Sequence, residues 1–199
     1  TPASTAWAIP AFLLYGTIYA GPADSRWHET GHGTPFKSRW MNDALYQVAS
    51  FQVMRRPTIW RWSHARHHTD TLITGRDPEI QVHRPVSLRL VLLDFFGLKL
   101  APSEFLRVFV NASGRMLAAE KTFVPETEWP KAIMEARIWL AVFAAVAGAC
   151  LYLDSWLPAL FIGLPSVYGG WLYNFFGLTQ HAALPENVLE AELFGHEKG

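Results

Sequence analysis

Cysteine is nearly absent: Cys150 is the single one in 199 residues, and it lies in an apolar run. No disulfide can form within the chain, and zinc sites built from several cysteines are excluded. Charge is scarce too, at 17% of residues against roughly 25% in an ordinary soluble domain. Seventeen Lys and Arg balance seventeen Asp and Glu, so the basic surplus that nucleic acid demands is missing. There is no internal repeat and no low-complexity tract. No basic segment precedes the first apolar run, which is therefore not read as a cleaved signal peptide. What is plentiful is apolar surface. Half of the residues are hydrophobic, with nine Trp and thirteen Phe. That composition suits a bilayer, whose interface favours Trp and Tyr.

The apolar residues are grouped. Residues 1–23 carry no charged side chain, residues 138–153 none, and residues 155–185 none. A helix needs about 20 mostly apolar residues to cross a bilayer. The expected spans are therefore about 5–22, 135–153 and 156–178, the last two forming a helical hairpin. Pro10 would kink the first span, and Pro158, Pro165 and Gly169-Gly170 make the third irregular. Residues 24–137 hold sixteen of the seventeen Lys and Arg and carry a net charge of +4, while 138–199 carry −4. The positive-inside rule puts the central stretch in the cytoplasm. Two apolar pieces within it, 44–54 and 88–98, are too short to cross and read as interfacial or buried helices. The expected fold is all-α: an integral membrane helical bundle in one domain, with a cytoplasmic helical cap at about 24–134.

Five of the eight histidines fall in two tight groups within that cap, His28-Glu29-Thr30-Gly31-His32 and His64-Ala65-Arg66-His67-His68. On a helix, positions i, i+3 and i+4 share a face. His28 can then point with His32, and His64 with His67 and His68. Converging imidazoles have one common use, which is to hold metal. His181 follows the returning arm of the hairpin and so emerges on the same side as both groups. His83 and His196 have no partner at helical spacing and read as surface residues. Asp70, Asp77 and Glu79 follow the second group; ligating histidines usually donate their other ring N–H to a carboxylate, which these can supply. The first group also fits the zinc-protease pattern, with Glu29 as general base. That reading leaves His64, His67 and His68 without a task.

HETGH at 28–32, HARHH at 64–68, Arg76-Asp77-Pro78-Glu79, and Gln180-His181 after a hairpin together resemble the membrane fatty-acid desaturase and hydroxylase family. The resemblance runs from about residue 7 to 187. It implies a non-haem di-iron centre on the cytoplasmic side of the bundle, with His28, His32, His64, His67, His68 and His181 as ligands. The family's third box, (H/Q)xxHH, is missing, since His67-His68 is the sole His-His pair. With Thr1 in place of Met at the start, two readings stand: the chain is cut short, or the site is incomplete. Ligation by many histidines and no cysteine suits iron in an oxygen-activating site. The resemblance further implies a fatty-acyl or other lipid substrate and a separate electron donor of ferredoxin, rubredoxin or cytochrome b5 type. Residues 58–62 and 168–176 are candidate walls of an apolar substrate tunnel, against the commoner alternative that aromatics at these spacings simply pack. Desaturation ranks first, hydroxylation second and zinc proteolysis third; a non-catalytic subunit of a membrane-protein complex stands as the non-enzymatic alternative.

Overall fold

A computed structural model describes residues 2–80, 87–172 and 174–175. Among these residues every regular element is helical, as the apolar periodicity requires. In chain order they are α1 (Pro2–His32), α2 (Arg39–Gln52), α3 (Pro57–Thr69), α4 (Leu88–Phe95), α5 (Leu100–Ala112), α6 (Trp129–Tyr152), α7 (Leu157–Phe161) and α8 (Pro165–Tyr168), with two 3₁₀ turns between α5 and α6. The two short apolar pieces of the cap are helices, α2 and α4.

The first apolar run does not stop where the uncharged residues stop. α1 continues for 31 residues, with Pro10 and Pro22 inside it, and ends at His32. The expected boundary between span and cap at residues 22–24 therefore falls in mid-helix. Across it the helix buries Ala20, Ala23, Trp27 and Thr30, a three-and-four spacing that makes one stripe. The stripe packs on Tyr46, Ala49 and Val53 of α2. Gly33 ends α1 by taking φ +73°, which glycine adopts without a Cβ penalty. Its N–H reaches Thr30 O at 3.1 Å, and Thr34 N–H reaches Glu29 O at 3.2 Å. Asn42 then secures the turn, donating to Gly33 O and Phe36 O and accepting from Phe36 N–H.

By length and composition, one helix of the described residues qualifies to cross a membrane, Glu126–Tyr152, which contains α6. Leu151 and Tyr152 at its end are 84% and 89% exposed, apolar surface that lipid would cover. The expected third span is not a continuous helix within its described part. α7 has five residues and α8 four, and Ile162 between them is extended at φ −131° and ψ 117°. Pro165 supplies no N–H to carry a helix across that break. The α7–α8 segment instead clamps α1. A Cβ on Gly169 would stand 2.0 Å from the Gly16 backbone, so only paired glycines permit this approach. Tyr15 O–H donates to Phe161 O at 3.1 Å, and Trp171 Nε1–H to Thr17 Oγ1 at 3.1 Å.

Two further apolar clusters join α6 to the rest. Val108 of α5 and Met54 meet Ala136 and Trp139, while Ile59 of α3, Met116 and Val124 meet Ala132. α3 thus lies between α2 and the first half of α6. Its start is fixed by buried charge. Arg56, 3% exposed, ion-pairs with Glu104 of α5 and Glu120 of the first 3₁₀ turn, and also donates to Asn111. Asn111 Nδ2 and Leu117 N–H share Glu120 Oε2, each at 2.9 Å. A buried cation with two carboxylates and a full set of hydrogen bonds is tolerable; removing one partner costs about 3–5 kcal/mol.

Candidate metal centre

α1 reaches past its expected end far enough to carry His28 and His32 to α3. Ligand atoms of His28, His32, His64 and His68 all lie within 4.8 Å of one another. His64 Nε2 sits 3.2 Å from His32 Nε2 and 3.1 Å from His68 Nε2. The rings of His28 and His32 are 4.7 Å apart, and His28 faces His64 at 4.9 Å. Trp27 closes one side, its ring 5.2 Å from that of His64.

The protonation of these rings follows from their outer partners. His64 Nδ1 lies 3.2 Å from Glu79 Oε2, and His67 Nδ1 lies 2.8 Å from Asp77 Oδ2. A carboxylate only accepts, so each Nδ1 carries the proton and each Nε2 presents a lone pair. The His64 lone pair points at two other imidazole nitrogens. Such convergence is what a cation relieves, and the neutral-imidazole donor set fits one. Partial burial, followed by the neighbouring His28, His64 and His68, holds His32 below the usual imidazole range. Partial burial, followed by His64, His67 and His28, does the same to His68. Burial pushes the Glu79 carboxyl up, but the His64 hydrogen bond and the charges of Arg55 and the two imidazoles outweigh it, and it stays below the usual carboxylate value.

The carboxylates expected to orient the rings divide. Glu79 and Asp77 lie within hydrogen-bond distance of the His64 and His67 rings. Asp77 also organises the loop that carries both acids: Oδ2 accepts from Leu72 N–H and Oδ1 from Glu79 N–H, each at 2.8 Å. Asp70 instead pairs with Arg66 and Arg76 and ties that loop to α3. His67 is outside the group of four, its ring 5.8 Å from those of His64 and His68. His181, His83 and His196 lie outside the described residues.

Glu29 is exposed and turned away from the convergence, its carboxylate accepting from Thr34 Oγ1 at 2.8 Å and lying 3.3 Å from His28 Nδ1. The expected tunnel walls are corrected as well. Thr58 donates its backbone N–H to Glu135, Trp60 packs on Trp27, and Tyr168 covers Gly16. The large apolar cavity, about 830 Å³, lies instead between α5, α6 and α7–α8, with Met54, Phe105, Phe143, Cys150, Trp156 and Val167 in its wall.

Several supporting residues escape a motif search. Arg55 ion-pairs with Asp24 and lies between the Trp27 and Trp60 rings, at 4.3 and 4.9 Å from their centroids. With Arg56 it forms an Arg-Arg pair in a charge-poor chain just before the second histidine group, and that is the signal that could have found both. Glu135 counted as the first residue of an expected span.

A family model described as fatty acid desaturase matches residues 4–196. No curated protein and no solved structure matches the chain.

Proposed function

The chain belongs to the fatty acid desaturase family, and from that premise we propose a membrane-bound, O₂-dependent lipid desaturase whose metal is held by His28, His32, His64 and His68. The family is membrane-bound, acts on lipids and is generally di-iron dependent. The observation that carries the reading is the meeting of four imidazoles, two from α1 and two from α3, across a sequence separation of 32 positions between His32 and His64. Four donors would leave positions open on one iron. A second iron needs further ligands, and His67 and His181 are the candidates.

When bound, the iron supplies oxygen activation and oxidation of an unactivated C–H bond, with electrons delivered by a ferredoxin-, rubredoxin- or cytochrome b5-type donor. The chain's own part is orientation. Glu79 and Asp77 keep Nδ1 protonated and Nε2 free. Trp27 shields His64 from water. The cavity of about 830 Å³ is within the roughly 300–1,000 Å³ of ligand pockets and suits an acyl chain; its wall residue Met54 adjoins the segment leading into α3. The spans at about 5–22 and 135–153 and a cytoplasmic metal face belong to the same proposal, supported by the uncharged runs and the +4 of residues 24–137. The protease alternative loses support, because two of the four ring donors come from α3 and the exposed Glu29 carboxylate is taken up by Thr34 and the Nδ1 of His28.

The test is metal analysis of protein purified in detergent, paired with lipid mass spectrometry after supply of O₂ and a reduced ferredoxin. Close to two irons per chain, with products two mass units lighter than the substrate, is the expected result. Products sixteen units heavier would favour the hydroxylase. A single zinc, or no metal, would overturn the proposal.

A further inference from the structure

α6 does more than cross. Its first turns carry Glu135, 8% exposed, flanked by Ala132 and Ala136 in the two clusters that bind α6 to α3 and α5. Glu135 Oε2 accepts the Thr58 backbone N–H at 2.8 Å, and Oε1 accepts from Gln47 Nε2 of α2 at 3.0 Å. Thr58 is the second residue of α3, and no side chain of the Arg56 N-cap residue caps that helix. Its first N–H groups have no partner within the helix, and their partial positive charge favours a carboxylate. Among the described residues Glu135 makes no ion pair, although Lys131 and Arg61 line the same pocket; its direct partner on α3 is the Thr58 N–H.

We propose that Glu135 is a positioning residue for the metal centre: from the membrane-crossing helix it caps α3 and thereby fixes the rotation and register of His64 and His68 against His28 and His32. α3 has thirteen residues, a length at which an isolated helix is marginal in water. It depends on tertiary anchors. His64 stands six residues beyond Thr58, about 9 Å along the axis, so slippage at the cap is carried to the ring nitrogens. Gln47 adds α2 to the same carboxylate, and α2 is the helix against which α1 packs. One carboxylate therefore connects, through α2 and α3, both helices that bear histidines to the helix that crosses.

The inference rests on the metal reading above, and the experiment separates the two. Full-length protein in detergent is titrated with Co²⁺, following the visible ligand-field spectrum, for the unchanged chain and for Glu135→Gln, Glu135→Asp and Glu135→Ala. Gln keeps the reach and loses the charge; Asp keeps the charge and loses the reach. The expected order of affinity is Glu above Gln above Asp and Ala, with Ala weakened about fivefold or more and the spectrum altered in Asp and Ala. Circular dichroism at saturating Co²⁺ reports the remaining helix, and the Gln variant holds the test if Ala fails to fold. Equal affinity and identical spectra across the four chains would overturn the role of Glu135 alone. No Co²⁺ binding by the unchanged chain would overturn the metal reading and this inference with it.

Discussion

The two histidine-bearing helices meet at one point but are supported by opposite means. α1 is 31 residues long, and it delivers His28 and His32 at its last turn. Its histidines have one carboxylate nearby, the exposed Glu29, and depend on the rigidity of the helix and its packing on α2. α3 is short and polar. It is held by Arg56 at its N-cap, by Glu135 at its first turn, by Glu79 and Asp77 on two of its rings, and by Asp70 near its end. A long helix anchored on an apolar stripe needs few polar contacts. A short one carrying three histidines must obtain its order from outside, and buried charge supplies it.

The largest way to break this contrast is at Arg56. Replacing it with Met leaves Glu120 buried without its cation and Glu104 with Arg107 alone, and should lower stability by about 3–5 kcal/mol. Hydrogen exchange is the sharper readout: protection should fall across Pro57–Thr69 and persist across Ala20–His32. Equal loss in both helices would show that α1 relies on the same network. The next effect tests the carboxylates. Glu79→Gln should weaken metal binding about 10- to 100-fold, as loss of an outer partner of a ligating histidine does. Glu29→Gln should change it little, because that carboxylate faces solvent. Competition with a chromogenic chelator measures both, and equal losses would remove the asymmetry.

The smallest effect is on pH dependence. His32 and His68 have depressed native values, so the unfolded chain binds protons more readily than the folded one. Metal-free protein should therefore lose some melting temperature as pH falls through about 6.5, the ordinary imidazole value. The partly exposed rings make this loss small. Glu79, also depressed, adds a second loss only below about pH 4.5. The double variant His32→Gln, His68→Gln should flatten the first step and leave the second.

Much of the site was legible because its spacing is local. His28 with His32, and His64 with His68, are four residues apart, and the helix alone puts them on shared faces. Glu79 and Asp77 were recognisable as acids just beyond a ligand box. Asp70 was misjudged for the same reason: nearness in sequence did not reveal that Arg66 and Arg76 would take it. The substrate walls were misplaced because an aromatic run such as 58–62 looks the same whether it lines a cavity or packs in a core. The third span was placed from an uncharged run; its prolines and glycines marked it as irregular, but nothing in the run showed that an extended Ile162 would divide α7 from α8.

By itself the sequence determined the all-helical architecture, the apolar run that can cross a bilayer and the two histidine faces, since each follows from periodicity along a single helix. Tertiary structure alone decided that α1 runs on to His32, that four rings converge, and that Arg56 and Glu135 meet their partners at the start of α3. Those outcomes depend on charges and backbone groups from distant segments sharing one desolvated space, where an unpaired partner is too costly to leave.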